Sequence, residues 1–140
     1  MIGSEEKKKV SVSIILNCYN GEKYLHEALQ SIENQNYKNW ELIFWDNRST
    51  DRSRKIFDTF SNKNFFYFRS KTHSSLYAAR NLAIQKAKGK FISFIDSDDT
   101  WCKDKLLEQM KLFQDKKVAV VYGNLWLKKE SKRKKHMNSI

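Results

Sequence analysis

The chain has 140 residues, no proline and only four glycines. The lack of proline rules out a Pro-rich linker dividing it. Neither G-x-G-x-x-G nor G-x-x-x-x-G-K-[ST] occurs, so no glycine loop cradles phosphates. The two cysteines, Cys18 and Cys102, have no metal-type spacing and are too few to staple a fold. They read as free thiols in a reducing compartment. The longest apolar run is five residues, 118–122, far short of a bilayer span. The opening MIGSEEKKK is charged and lacks the apolar stretch of a signal peptide.

The length fits one domain able to bury about two-thirds of its unfolded surface. With 40% hydrophobic and 14% aromatic residues, pervasive disorder is excluded. The net charge is +11, and residues 128–140 (KKESKRKKHMNSI) carry +5 of it. The chain therefore divides into a charged lead (1–9), a domain (10–127) and a basic tail (128–140). Such a tail is solvated, or meets an anionic membrane surface, or meets nucleic acid. No RNP, helix-turn-helix or zinc pattern supports the last, so no nucleic acid is expected.

Hydrophobic periodicity orders the domain. Residues 10–16 (VSVSIIL) are β-branched and read as a strand, and residues 21–35 carry Leu25, Ala28, Leu29 and Ile32 at helical spacing. WELIFW (40–45) is a second strand. A helix with Ile56, Phe57 and Phe60 follows, capped by Ser49 or Thr50 with Asp51 in its first turn. Residues 65–68 form a third strand. Ser74 or Ser75 caps a helix with a narrow alanine face, closed by Lys88-Gly89-Lys90. Residues 91–95 form a fourth strand. Thr100 or Asp99 caps a helix with Leu106, Leu107, Met110 and Phe113, and residues 118–122 form a fifth strand. Alternating β and α units with nearly all-apolar strands predict a mainly parallel sheet covered on both faces, a Rossmann-like α/β architecture.

In such sheets ligands bind beyond the carboxyl ends of the strands. The segments there are Asn17-Cys18-Tyr19-Asn20, Asp46-Asn47, Arg69 with Lys71, and Asp96-Ser97-Asp98-Asp99. Three carboxylates crowded after the strand FISFI need an offset for their repulsion, or an exit into water. On extended chain Asp96 and Asp98 point the same way, which suits hard-oxygen ligation of Mg²⁺ or Mn²⁺ and, through it, a diphosphate. Eight aspartates make roughly half a D-x-D expected by chance, so position rather than pattern raises this one. Asp46 can accept from a base edge or a ribose, or cap a turn. Tyr19 can stack on a base or line the core rim. Arg80 can grip a phosphate bidentately or form a surface ion pair.

These residues bring out a resemblance. SVSIILNCYNGEKYLHEALQSIENQNYKNWELIFWDNRSTD and YAARNLAIQKAKGKFISFIDSDDTW are similar, in order and spacing, to the amino-terminal part of family 2 glycosyltransferases. The match runs over roughly residues 10–122. The resemblance implies a three-layer α/β/α GT-A fold, here about five strands long. It implies transfer of a sugar from a nucleotide-sugar, most often a UDP-sugar, to a saccharide or lipid-linked acceptor with inversion. It places Asn17 and Tyr19 at the base, Asp46 on the base edge, Arg80 near the donor, Asp96 by the ribose and Asp98, with Asp96, on a divalent cation (Mn²⁺ or Mg²⁺).

There are departures. The family often has Pro-Thr at Asn17-Cys18, Gly at Arg48 and another Gly near Ser75. Its general base and acceptor site are expected beyond residue 140. A binding module without catalysis is thus the alternative to a transferase. The expected location is the cytoplasm, with peripheral attachment to the inner face of the membrane through the tail.

Overall fold

The computed structural model describes residues 10–129 and 132–136, with side chains as far as residue 127. The lead (1–9) and the side chains of the basic tail lie outside the described residues. In chain order the elements are β1 (Val12–Cys18), α1 (Leu25–Glu33), β2 (Trp40–Asp46), α2 (Ser53–Phe57), β3 (Phe65–Arg69), α3 (Leu76–Ile84), β4 (Phe91–Asp96), α4 (Lys105–Leu112), β5 (Leu125–Lys129) and β6 (Lys132–His136). The first four strands form one parallel sheet in the order β3-β2-β1-β4.

Strand alternation sorts the core into two. On one face Val12, Ile14, Leu16 and Cys18 join Leu42 and Phe44 beneath α1, α2 and α4, through Leu29, Phe57 and Leu106. On the other, Ile15, Ile43 and Trp45 meet Ala79 and Ala83 of α3. The alanines let α3 lie close to the sheet. All of β1 and β2 is buried, as a central parallel pair covered on both faces requires.

The amino end of the sheet is sealed by polar groups that satisfy one another. Buried Glu41 accepts from Ser13 Oγ and from the Lys88 amide, each at 2.7 Å. The Gly89 amide donates to Ser13 Oγ at 2.8 Å. A Cβ on Gly89 would stand 2.5 Å from the Ser13 nitrogen, so only glycine fits this approach. Buried Gln35 ties α1 to α4 by donating to the Ser31 and Cys102 carbonyls and accepting from the Leu106 amide.

Two expectations need correction. Residues 118–122 form no strand, and Val120 and Tyr122 are 77% and 78% exposed. Strand propensity measures fit to a half-buried pleated surface, and no such surface covers this segment. The strands after α4 are instead β5 and β6, an antiparallel pair separate from the main sheet, which takes in part of the expected tail. The helix starts also differ. Ser75 does cap α3, accepting from the Ala78 amide at 3.3 Å. However, α2 starts only at Ser53, and α4 at Lys105 behind Asp104, neither with a side-chain cap bond. Ser49, Thr50 and Asp51 are drawn instead into the loop after β1.

Candidate active site

The strand ends fall level. Asn17 sits beside Trp45 and Asp96, Cys18 beside Asp46, and Asp46 beside Arg69. The register therefore places the segments after β1, β2, β3 and β4 on one rim.

The loop after β1 is fastened to the loop after β2. The Asn20 amide donates to Ser49 Oγ, the Gly21 amide to Ser53 Oγ and the Glu22 amide to Asp51 Oδ2, all within 3.0 Å. In return the Thr50 amide donates to Asn20 Oδ1 at 2.8 Å, with Asn20 held at φ 51°. A Cβ on Gly21 would meet Cys18 Sγ at 2.9 Å and Ser97 Oγ at 3.0 Å, so this loop also lies tight against the turn after β4. Burial pushes the Cys18 thiol pKa up, leaving it protonated and inert.

This bracing leaves two concavities with Tyr19 in the wall of both. The first, about 260 Å³, is lined by Asn17, Cys18, Tyr19, Asn47, His73, Ser74, Ser75, Leu76 and Ala79. The Tyr19 ring leans on His73 at 4.3 Å between centroids. Asn47 builds the far wall. Its amide donates to the Ser74 carbonyl at 2.7 Å and accepts from the Ser74 amide at 3.1 Å, and its own carbonyl meets His73 Nδ1 at 3.0 Å. The second, about 380 Å³, is lined by Tyr19, Asn20, Gly21, Lys23, Tyr24, Ser97 and Asp98.

Asn17 stands out. It is 8% exposed, and neither its amide nitrogen nor its amide oxygen has a hydrogen-bond partner. A buried donor and acceptor left open cost about 1–3 kcal/mol each. Gln35 and Asn47, the other buried amides described above, are satisfied. The indole N–H groups of Trp40 and Trp45 are also unpartnered, but neither residue lines either of these two cavities. Asn17 thus lines the first cavity while holding a buried donor and acceptor that have no partner.

Asp46 lies inside the rim. It is 1% exposed and lines neither cavity. One carboxylate oxygen accepts from the Ser49 amide at 2.7 Å; the other accepts from the Tyr67 hydroxyl and lies 3.6 Å from Arg69 Nε. Burial, then Asp46, push the Tyr67 hydroxyl up to about 12. Asp46 braces the rim, and its neighbour Asn47 faces the cavity.

The aspartate cluster also departs from extended geometry. β4 ends at Asp96, and the Asp99 amide donates back to the Asp96 carbonyl at 3.1 Å, so the chain turns through Ser97-Asp98. Asp96 pairs with Arg80 at 2.6 Å, whereas Asp98 lines the second cavity. No group of three or more metal-ligating side chains converges among the described residues. The crowding remains: burial, then Asp98 and Asp96, raise the Asp99 pKa. Asp98 offers one hard oxygen donor, which fits a Mg²⁺-type ion that takes its remaining ligands from phosphate and water.

Of the expected residues, Asn17 and Tyr19 meet at the first cavity, Asp98 joins Tyr19 at the second, and Arg80 and Asp96 neutralise each other at the rim. Asn47 and His73 were not singled out by sequence. Asn47 had a signal in its place directly after a strand end; His73, in a Ser- and Lys-rich loop, had none.

A parallel sheet covered on both faces, with a cleft across its carboxyl rim, defines an α/β domain of nucleotide-binding type. The family described as Glycosyl transferase family 2 matches residues 13–140, and the chain belongs to it. It is 38% identical over 115 residues to an uncharacterized glycosyltransferase of Haemophilus influenzae, covering 81% of this chain and 46% of that one. It is 35% identical over 113 residues to UDP-Glc:alpha-D-GlcNAc-diphosphoundecaprenol beta-1,3-glucosyltransferase WfgD of Escherichia coli, covering 81% and 45%. Among solved structures, Staphylococcus aureus TarS (residues 1–349) in complex with UDP superposes with a TM-score of 0.71 at 32% identity, covering 75% of this chain and 32% of that one. The fold is GT-A, and the chain spans about half the length of the curated relatives it matches.

Proposed function

We propose that the chain binds a nucleotide-diphospho-sugar, a UDP-sugar first among them, with the base in the Asn17 cavity. The observation that carries this is the open amide of Asn17. A pyrimidine imide edge sets a carbonyl acceptor beside an N–H donor, the complement of one carboxamide. Tyr19 and His73 offer the base an aromatic wall. The TarS structure with UDP supports the choice of nucleotide. Asp98, with Asp96 once freed from Arg80, would hold Mn²⁺ or Mg²⁺, which supplies charge neutralisation for the departing diphosphate. Arg80 then becomes available to phosphate oxygens. The acceptor, saccharide or lipid-linked, belongs to the same proposal, supported by the diphosphoundecaprenol acceptor in the name of WfgD.

Calorimetry of UDP, GDP and dTDP, with and without Mn²⁺, tests the reading. Asn17→Leu should weaken UDP binding at least about tenfold while leaving thermal stability equal or higher, because an apolar group replaces two open polar atoms. Asp98→Ala should remove the gain from Mn²⁺. Unchanged UDP affinity in Asn17→Leu overturns the base assignment.

A further inference from the structure

Uracil and cytosine differ only at ring positions 3 and 4. Uracil sets an N3–H donor beside a carbonyl acceptor at C4. Cytosine sets an N3 acceptor beside an amino donor at C4, the same pair with its polarity reversed. The C2 carbonyl and the C5–C6 edge are common to both, and stacking on Tyr19 or His73 is open to every base. A cavity therefore separates the two bases only through a group of fixed polarity facing positions 3 and 4. A carboxylate is such a group: it accepts from the uracil N3–H and repels the cytosine N3 lone pair. Asp46, at the end of β2, has one oxygen bonded by the Ser49 amide and the other by the Tyr67 hydroxyl, and no acid is among the residues that line the first cavity.

C2 flanks the nitrogen that carries the ribose. A base entering the cavity with its ribose and diphosphate towards solvent therefore leads with positions 3 and 4. Asn17 is 8% exposed and Tyr19 53%, which puts Asn17 at the enclosed end and Tyr19 at the mouth. Both ends of the Asn17 amide lack a partner, so no described residue fixes which end is the donor. Gln35 is the contrast. Its nitrogen donates to the Ser31 and Cys102 carbonyls and its oxygen accepts from the Leu106 amide, which locks it one way round. A half-turn about the last side-chain torsion of Asn17 exchanges donor and acceptor, and no hydrogen bond to the protein is lost. We infer, on the proposed placing of the base at Asn17, that the cavity takes cytosine as readily as uracil, and that CDP-linked sugars are ligands beside UDP-linked ones. In one orientation Asn17 Oδ1 accepts from the uracil N3–H while Nδ2 donates to the C4 carbonyl. In the other, Nδ2 donates to the cytosine N3 while Oδ1 accepts from the amino group. Each base gains one donated and one accepted hydrogen bond.

Calorimetry of UDP against CDP, both with Mn²⁺, tests this on the unaltered chain. The two share ribose and diphosphate, so the base alone sets any difference. Their affinities should agree within about tenfold, since each base leaves the amide satisfied. A wider gap in favour of either overturns the inference. Asn17→Leu should weaken both nucleotides at least about tenfold, because each loses the same pair of bonds. Loss for UDP alone overturns the inference and leaves the base assignment standing. Loss for neither, or no binding of either nucleotide, overturns the base assignment and the inference with it. Asn17→Asp, measured at pH 8 so that about all of an ordinary carboxyl is ionised, puts a fixed acceptor in the same place. It should keep UDP and weaken CDP at least about tenfold. CDP that still binds level with UDP in Asn17→Asp overturns the amide as the group that reads positions 3 and 4.

Discussion

Buried polar residues divide into two kinds here. Gln35, Glu41 and Asn47 are enclosed in their partners, whereas Asn17 has none. The first kind fixes the fold; the second is the one the proposed nucleotide would satisfy. Lys105 gives a third case. Its ammonium lies 3.9 Å from the Trp101 ring centroid and donates to Gln109 at 2.8 Å, yet burial lowers its pKa to about 8. Because the folded-state value lies below the ordinary 10.5, folding disfavours the charged form. The penalty is complete below pH 8 and is relieved as the pH rises from about 8 towards 10.5. Chemical unfolding across that range should show stability rising in the unaltered chain relative to Lys105→Met. Parallel pH profiles for the two would place the amine in water.

At the level of elements, the four strands of the main sheet and their helices could be read from the chain because each buries a periodic apolar face. The helix starts could not. Ser49, Thr50 and Asp51 look like caps, but the loop after β1 has unsatisfied amides of its own and takes them. The stretch 118–122 is as β-branched as β1 and forms no strand, because propensity without a covered surface decides little. At the rim, strand ends pointed to the right loops, but alternation alone did not show that Asp46 faces inward to Ser49 and Tyr67. Nor did it show that the chain turns between Asp96 and Asp98. The joint between α3 and β4 is more exacting than its sequence suggests. Gly89→Ala should cost about 2 kcal/mol or more, since overpacking against fixed backbone leaves little room to relax. Denaturant unfolding would show it as a lower midpoint, and a wild-type midpoint would mean that the joint yields.

For the molecule as a whole, the chain carries the rim of a family 2 glycosyltransferase over about half the length of its relatives. Binding and transfer are therefore separable questions. With radiolabelled UDP-glucose, Mn²⁺ and a mixture of saccharide and lipid-linked acceptors, the chain should retain label at equilibrium in a form that unlabelled UDP displaces. Turnover in the same mixture would identify a transferase, and retention without product would identify a binding module.

The two ends of the sheet also differ in what they allow. At the amino end Glu41, Ser13 and Gly89 interlock so closely that a change in one disturbs the others. At the carboxyl end the loops are fastened largely through hydroxyls, amides and main-chain groups, and Asn17, Tyr19 and His73, which line the cavity, lie outside the two core clusters. On the proposed reading the domain is a housing with an exchangeable socket: substitutions at Asn17, Tyr19 or His73 should change the ligand preferred without changing how the chain folds.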